Sequence, residues 1–151
     1  MTLTDLAAAV GSSFGPTDWT LIDQARIDAF AAVSGDHQWI HVDRERAAAG
    51  PFGGTIAHGY LTLSLIAAAH FESKAFPNEG GVDVINYGLD KVRFLAPVPS
   101  GSRVRVRIDV TDLQDRRAGR WLLTTRSTVE IEGSEKPALV ADALFLLLQA
   151  S

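Results

Sequence analysis

An aspartate and a histidine five residues apart, Asp36 and His41, are the side chains of this sequence best suited to acid–base chemistry. They stand in Phe30-Ala-Ala-Val-Ser-Gly35-Asp36-His37-Gln38-Trp39-Ile40-His41-Val-Asp43, just beyond the end of a helix-forming stretch. Adding water across an activated double bond needs one group to take the water's proton and another to protonate the neighbouring carbon. A carboxylate and an imidazole gripping one water between them could do both. The same residues have ordinary uses. An aspartate after a helix-stop glycine commonly closes an Asx turn, and a histidine flanked by Ile and Val commonly fills a semi-buried position. Spacing alone leaves both readings open.

The second feature is Gly53-Gly54-Thr55-Ile56-Ala57-His58-Gly59-Tyr60, which leads directly into an apolar run. A glycine at a helix start leaves bare N–H groups and the positive end of the helix dipole facing outward. Such a terminus suits an oxyanion or a thioester carbonyl. The competing account is that glycine lets the helix start pack closely on a sheet. The Gly-x-x-x-x-Gly-Lys-Ser/Thr phosphate loop is absent. His58 suits fixing the helix start by a hydrogen bond better than proton transfer. His70, near the end of the run, suits a cation at the helix's negative pole. His37, His41 and Asp36 resemble a metal-ligand spacing, but no third ligand stands at a sensible position, so no metal is expected.

Several elements must position these groups. Asp5–Val10 reads as a short helix stopped by Gly11, followed by an extended piece around Thr17–Leu21. Asp23 reads as the N-cap of a helix over Gln24–Val33, with Ile27, Phe30, Ala31 and Ser34 on one face and Gly35 as its stop. A polar loop, Asp36–His41, and an Ala-rich turn, Arg44–Ala49, follow. Thr55–Phe71 has almost no polar face and predicts a helix buried on all sides. The rest predicts strands: Val92–Leu95; Arg103–Val110, where Val104, Val106, Ile108 and Val110 alternate with charged residues; Leu122–Ile131; and Leu139–Leu148. Asn86-Tyr87-Gly88 interrupts the strand pattern, either as pocket lining or as a bulge, the blander account. One apolar helix followed by long antiparallel strands implies a single α+β domain over residues 1–151, with the helix wrapped by the sheet. Its edge strands predict pairing with a second copy as at least a homodimer.

Composition narrows the function. With 151 residues, 46% of them apolar, the chain can bury a core without staples. Cysteine is absent, which excludes disulfides, Cys-ligated zinc and a thiol nucleophile. The net charge of −4 argues against nonspecific binding to nucleic acid or anionic membranes. The longest uninterrupted apolar run, Tyr60–Ala69, is far short of the ~20 residues a bilayer span needs. With no basic leader at the N-terminus either, a cytoplasmic location is expected.

Ser34-Gly35-Asp36-x-x-x-Ile40-His41, followed by Ile56-Ala57-His58-Gly59, resembles the MaoC-like, (R)-specific enoyl-CoA hydratase family of hot-dog folds. Gly35-Asp36-His37-Gln38-Trp39-Ile40-His41 is similar to its nodulation-protein-N-like subgroup. Lys91-Val-Arg93-Phe94-x-x-Pro97-Val98-x-x-Gly101 extends the likeness over most of the chain. The resemblance implies reversible addition of water to a trans-2-enoyl thioester of CoA, or of acyl carrier protein, giving the (3R)-hydroxyacyl product. It implies Asp36 as the base that activates water, His41 as the acid that protonates the α-carbon, and the Gly59 N–H as the thioester oxygen's partner. No metal or other cofactor is implied.

Most hydratases of the group carry Asn-Pro where this chain has Gln38 and Trp39. Neither residue handles the proton. Trp39 either reshapes the acyl tunnel or packs beneath the loop. Gln38, Trp39, His58, Tyr87 and Gly88 are the candidate pocket residues. Arg103, Arg105, Arg107 and Arg116-Arg117 are either CoA phosphate contacts or solvated charges. Two rival functions stand beside the hydratase. A thioesterase would commonly carry a carboxylate on the central helix, whereas the first one here is Glu72. A non-catalytic acyl-binding module is kept open by the Gln38-Trp39 departure.

Overall fold

Alternation in the second half of the chain becomes one antiparallel sheet in the computed structural model, which describes residues 1–149. Two short strands, β1 (Ser13–Phe14) and β2 (Thr20–Ile22), precede four long ones. These are β3 (Val82–Phe94), β4 (Ser102–Asp115), β5 (Arg120–Ile131) and β6 (Leu139–Gln149). Among the described residues the order is β1-β4-β5-β6-β3, with β2 also on β4. Val104, Val106, Ile108 and Val110 point into the core, while the arginines between them point outward. Each buried branched side chain of this row contributes ~2 kcal/mol of apolar transfer.

Five helices accompany the sheet: α1 (Leu3–Ala8), α2 (Gln24–Ser34), α3 (Trp39–Val42), α4 (Arg44–Ala48) and α5 (Gly59–Glu72). Asp23 caps α2 as expected, its carboxylate accepting from the Arg26 N–H at 2.9 Å. Gly35 ends α2 at φ 78°, a left-handed conformation that strains any residue with a Cβ. The chain therefore turns sharply just before Asp36. None of these helices is long and apolar enough to cross a membrane.

The central helix α5 lies on the sheet's inner face through Leu61, Thr62, Ile66, Ala69 and His70, all buried. It differs from the sequence expectation in two ways. It starts at Gly59, because Thr55–His58 is extended and main-chain bonded, with Ile56 bridging Pro99 and the Ala57 N–H donating to Val98. Nor is it buried on all sides: Tyr60 is 70% exposed and Phe71 63%, with Ser64 and Ala68 exposed between them. The sheet covers only one face of the helix, so its apolar residues split between core and open surface.

β3 begins ten residues ahead of the expected Val92 and is broken by two register shifts. One lies between Asn86 and Gly88, which makes Tyr87 the bulged residue, and the other between Asp90 and Arg93. Its outer edge carries exposed Ile85, Tyr87 and Leu89.

Candidate active site

Asp36 leaves α2 at the Gly35 turn with its carboxylate exposed. One oxygen, Oδ1, accepts from the Gln38 N–H at 3.2 Å, an Asx-type contact that leaves Oδ2 available. The Asx reading and the catalytic reading are thus compatible. His41 sits in α3 at 6% exposure. Its Nδ1 lies 2.7 Å from the Ile56 carbonyl oxygen. A carbonyl only accepts, so Nδ1 carries the hydrogen and Nε2 is left to exchange protons. Burial pushes the His41 pKa below the ordinary histidine value; His58 pushes the same way, while the Ile56 bond and Asp36 oppose. The resting ring is neutral, with its lone pair on Nε2.

One side-chain donor atom from each of Asp36, His41 and His58 lies within 4.8 Å of the other two. Two groups that each hold a shared water at about 2.8 Å, near the tetrahedral angle, stand roughly 4.6 Å apart. Asp36 and His41, within 4.8 Å of each other, are close enough to share one water. The cluster fits a metal poorly. The His41 and His58 rings stack with centroids 3.8 Å apart and planes 25° apart, so their lone pairs run side by side. A zinc-type ion needs them to converge on a point about 2.0 Å from each nitrogen. Nδ1 of His41 and Nε2 of His58 are also already engaged by carbonyl oxygens.

Gly59 opens α5 beside this pair. The first helix amides to bond back are Leu61 and Thr62, both to the His58 carbonyl, so the Gly59 N–H lies ahead of the intrahelical ladder. The Phe94 ring rests on Gly59; a Cβ there would come within 2.9 Å of it. His41, Gly59, Thr62 and Phe94 line one groove of about 220 Å³. A second, larger and mostly apolar groove of about 520 Å³ runs from Tyr60 along Leu63, Ser64 and Ala67 to the β3 bulge at Tyr87 and Gly88. The bulge and the pocket-lining accounts of Asn86–Gly88 are therefore the same feature.

Other expectations fare differently. His58 makes no side-chain cap bond to α5; its Nε2 donates instead to the Asp36 carbonyl at 2.9 Å. His70 is no helix-end cation. It is fully buried against Phe76 and Phe145, and desolvation pushes its pKa down to about 4. The neutral ring donates from Nδ1 to the Ile66 carbonyl and accepts at Nε2 from the Thr125 hydroxyl. Of the candidate pocket residues, Gln38, Trp39 and His58 are not among those lining either groove, and neither is Asp36. Trp39 packs on Gly50, with the Arg46 guanidinium 4.3 Å above its ring. His37 is exposed. Arg103 pairs with Glu132, and both Arg105 and Arg107 pair with Glu130. Arg116 and Arg117 lie exposed at the β4–β5 turn.

One positioning residue carries no local signal in the sequence. Gln24 donates from Nε2 to the His41 carbonyl at 2.8 Å and accepts from the Thr55 hydroxyl, tying α2 to the histidine and to the approach to α5. Its only mark is its place directly after the N-cap.

An α+β domain with its central helix against an antiparallel sheet, and a carboxylate and two imidazoles gathered near that helix's start, has the architecture of the hot-dog hydro-lyases. The MaoC like domain model matches residues 5–131, and the chain belongs to that dehydratase family. The 3-hydroxyacyl-thioester dehydratase Z of Mycobacterium tuberculosis is 51% identical over 140 residues, covering 93% of this chain and 91% of its own. Nodulation protein N of Rhizobium leguminosarum bv. viciae is 45% identical over 148 residues, covering 97% and 91%. The unliganded R-hydratase PhaJ1 from Pseudomonas aeruginosa superposes with a TM-score of 0.72 at 28% identity, covering 93% of this chain and 83% of that one.

Proposed function

We propose that this enzyme catalyses reversible hydration of trans-2-enoyl thioesters, of CoA or of acyl carrier protein, to (3R)-hydroxyacyl thioesters. The observation that carries the proposal is the gathering of Asp36 and His41 within 4.8 Å of each other, close enough to share one water, with His41 and Gly59 lining one groove. In hydration the Asp36 carboxylate takes a proton from water as its oxygen bonds to the β-carbon. Protonated His41 gives its Nε2 proton to the α-carbon. The Gly59 N–H receives the charge that builds on the thioester oxygen. Dehydration runs the same steps backwards: neutral His41 removes the α-proton and the Asp36 carboxyl protonates the departing hydroxyl. Hydration therefore begins once the resting, neutral His41 has taken up one proton from solvent; from there the pair holds one proton through the step, and no net proton is consumed.

The reading extends to a homodimer in which the free β3 edge meets its counterpart and closes the larger groove. A long edge carrying Ile85, Tyr87 and Leu89 is a poor surface to leave in water. It extends also to residues 1–151 acting as one domain.

The test is a spectrophotometric assay of the purified protein against trans-2-enoyl-CoAs of increasing length. Loss of enoyl absorbance without thiol release supports the hydratase. Thiol release would mark a thioesterase, and binding with neither would mark an acyl-binding module. Asp36→Asn is expected to slow hydration by about 10²-fold with an unchanged melting temperature; full activity in that variant refutes the assignment.

A further inference from the structure

His58 is the one member of the Asp36–His41–His58 cluster to which the hydration chemistry gives no task. It is 2% exposed and directly precedes Gly59. Its Nε2–H donates to the main-chain carbonyl of Asp36 at 2.9 Å. One face of its ring stacks on His41 at 3.8 Å, and Phe30 packs nearby with centroids 5.0 Å apart. Its Nδ1 is buried with no hydrogen-bond partner. A buried nitrogen left bare is a cost that a hydrocarbon side chain of similar size would not carry. An imidazole fits this position because one small ring combines a donor aimed at the Asp36 backbone with a flat face laid on the His41 side chain.

We propose that His58 is, beside Gln24, a positioning residue of the site: it holds the Asp36 loop and the His41 ring close enough to share one water and fixes both to the start of α5. This inference rests on the proposed hydration reaction. The hydrogen bond sets where the Asp36 main chain lies, the stack sets the plane of the His41 ring, and the residue's own backbone begins the helix whose first amide faces the thioester. The groups that face His41 are Asp36 from the loop after α2, His58 from the segment before α5, and the Ile56 carbonyl; the two titratable ones act on it in opposite directions. Taking the imidazole at 58 away removes one of the two influences that hold His41 low, leaving burial alone against Asp36 and the Ile56 bond, and His41 then titrates at higher pH.

Two substitutions separate the bond from the stack. His58→Gln keeps an amide donor near the place of Nε2 and removes the ring. His58→Phe keeps a ring and removes the donor. We expect His58→Phe to lose about fiftyfold in kcat with KM within about threefold, because geometry at the reacting atoms is lost while binding is kept. His58→Gln is expected to recover kcat to within about fivefold of wild type. NMR titration of the ring in His58→Gln should show His41 protonating at higher pH than in the wild type. Wild-type kcat in His58→Phe, an equal loss in both variants, or an unmoved His41 titration overturns the proposal. If His58→Phe does not fold, kcat and the titration of His58→Gln decide alone. The titration needs no turnover, so it judges His58 even if the wild-type protein is inert on enoyl thioesters, a result that would sink the hydration reading instead.

Discussion

His70 ties the stability of this fold to pH in a window where few other groups act. In the unfolded chain it titrates near 6.5; in the folded protein burial among Phe76, Phe145 and α5 takes it to about 4. Above 6.5 neither state binds the proton and nothing is lost. Between 6.5 and about 4 only the unfolded chain binds it, so stability falls as pH falls, by up to 1.36 kcal/mol per pH unit. The gap corresponds to roughly 3 kcal/mol in all, and roughly 2 kcal/mol of it is spent by pH 5. Urea denaturation followed by circular dichroism at pH 7, 6 and 5 reads this directly, comparing the wild type with His70→Gln. His41, also held low, contributes in the same direction in both proteins, so their difference isolates His70. Asp142, held low chiefly by its hydrogen bond from Arg126, loses its contribution only at more acid pH. If the two proteins lose stability in parallel between pH 7 and 5, the account of His70 as a buried neutral ring is wrong.

Three further outcomes follow from the geometry. Gly59→Ala pushes a methyl group into the half-exposed Phe94 ring, which can swing away, so melting should change little while kcat/KM in the enoyl-CoA assay drops by about tenfold. Trp39→Ala removes the ring packed on Gly50 and under Arg46, so it should lower the melting temperature and leave the acyl-chain-length profile of activity unchanged. Leu89→Lys on the outer edge of β3 should shift the protein to monomer in sedimentation and lower its activity with it; an active monomer would contradict closure of the groove by a second copy.

What the sequence disclosed was local. The Asp23 cap, the Gly35 stop and the Val104–Val110 alternation are written in neighbouring residues and recur unchanged in three dimensions. The nearness of Asp36, His41 and Gly59 was legible for the same reason: loop, short helix and helix start follow one another within a single stretch of chain. Features made by distant contacts were hidden. An all-apolar run cannot say which of its faces meets a sheet and which stays open, so the exposure of Tyr60 and Phe71 went unread. Nothing beside His70 in sequence announces Phe145 or Thr125, whose approach turns an expected cation into a neutral core residue. The same holds for His58, whose partner is a carbonyl 22 residues upstream, and for Gln24, whose partners lie on two other segments.

The hydrogen on His41 is placed by the main chain of Ile56, itself clamped between Ile40 and Pro99 by backbone pairing. The tautomer of this imidazole is thus independent of which side chain stands at 56. Evolution is free to redraw that position, and with it the wall of the groove, without ever touching the instruction that tells the histidine which nitrogen to use.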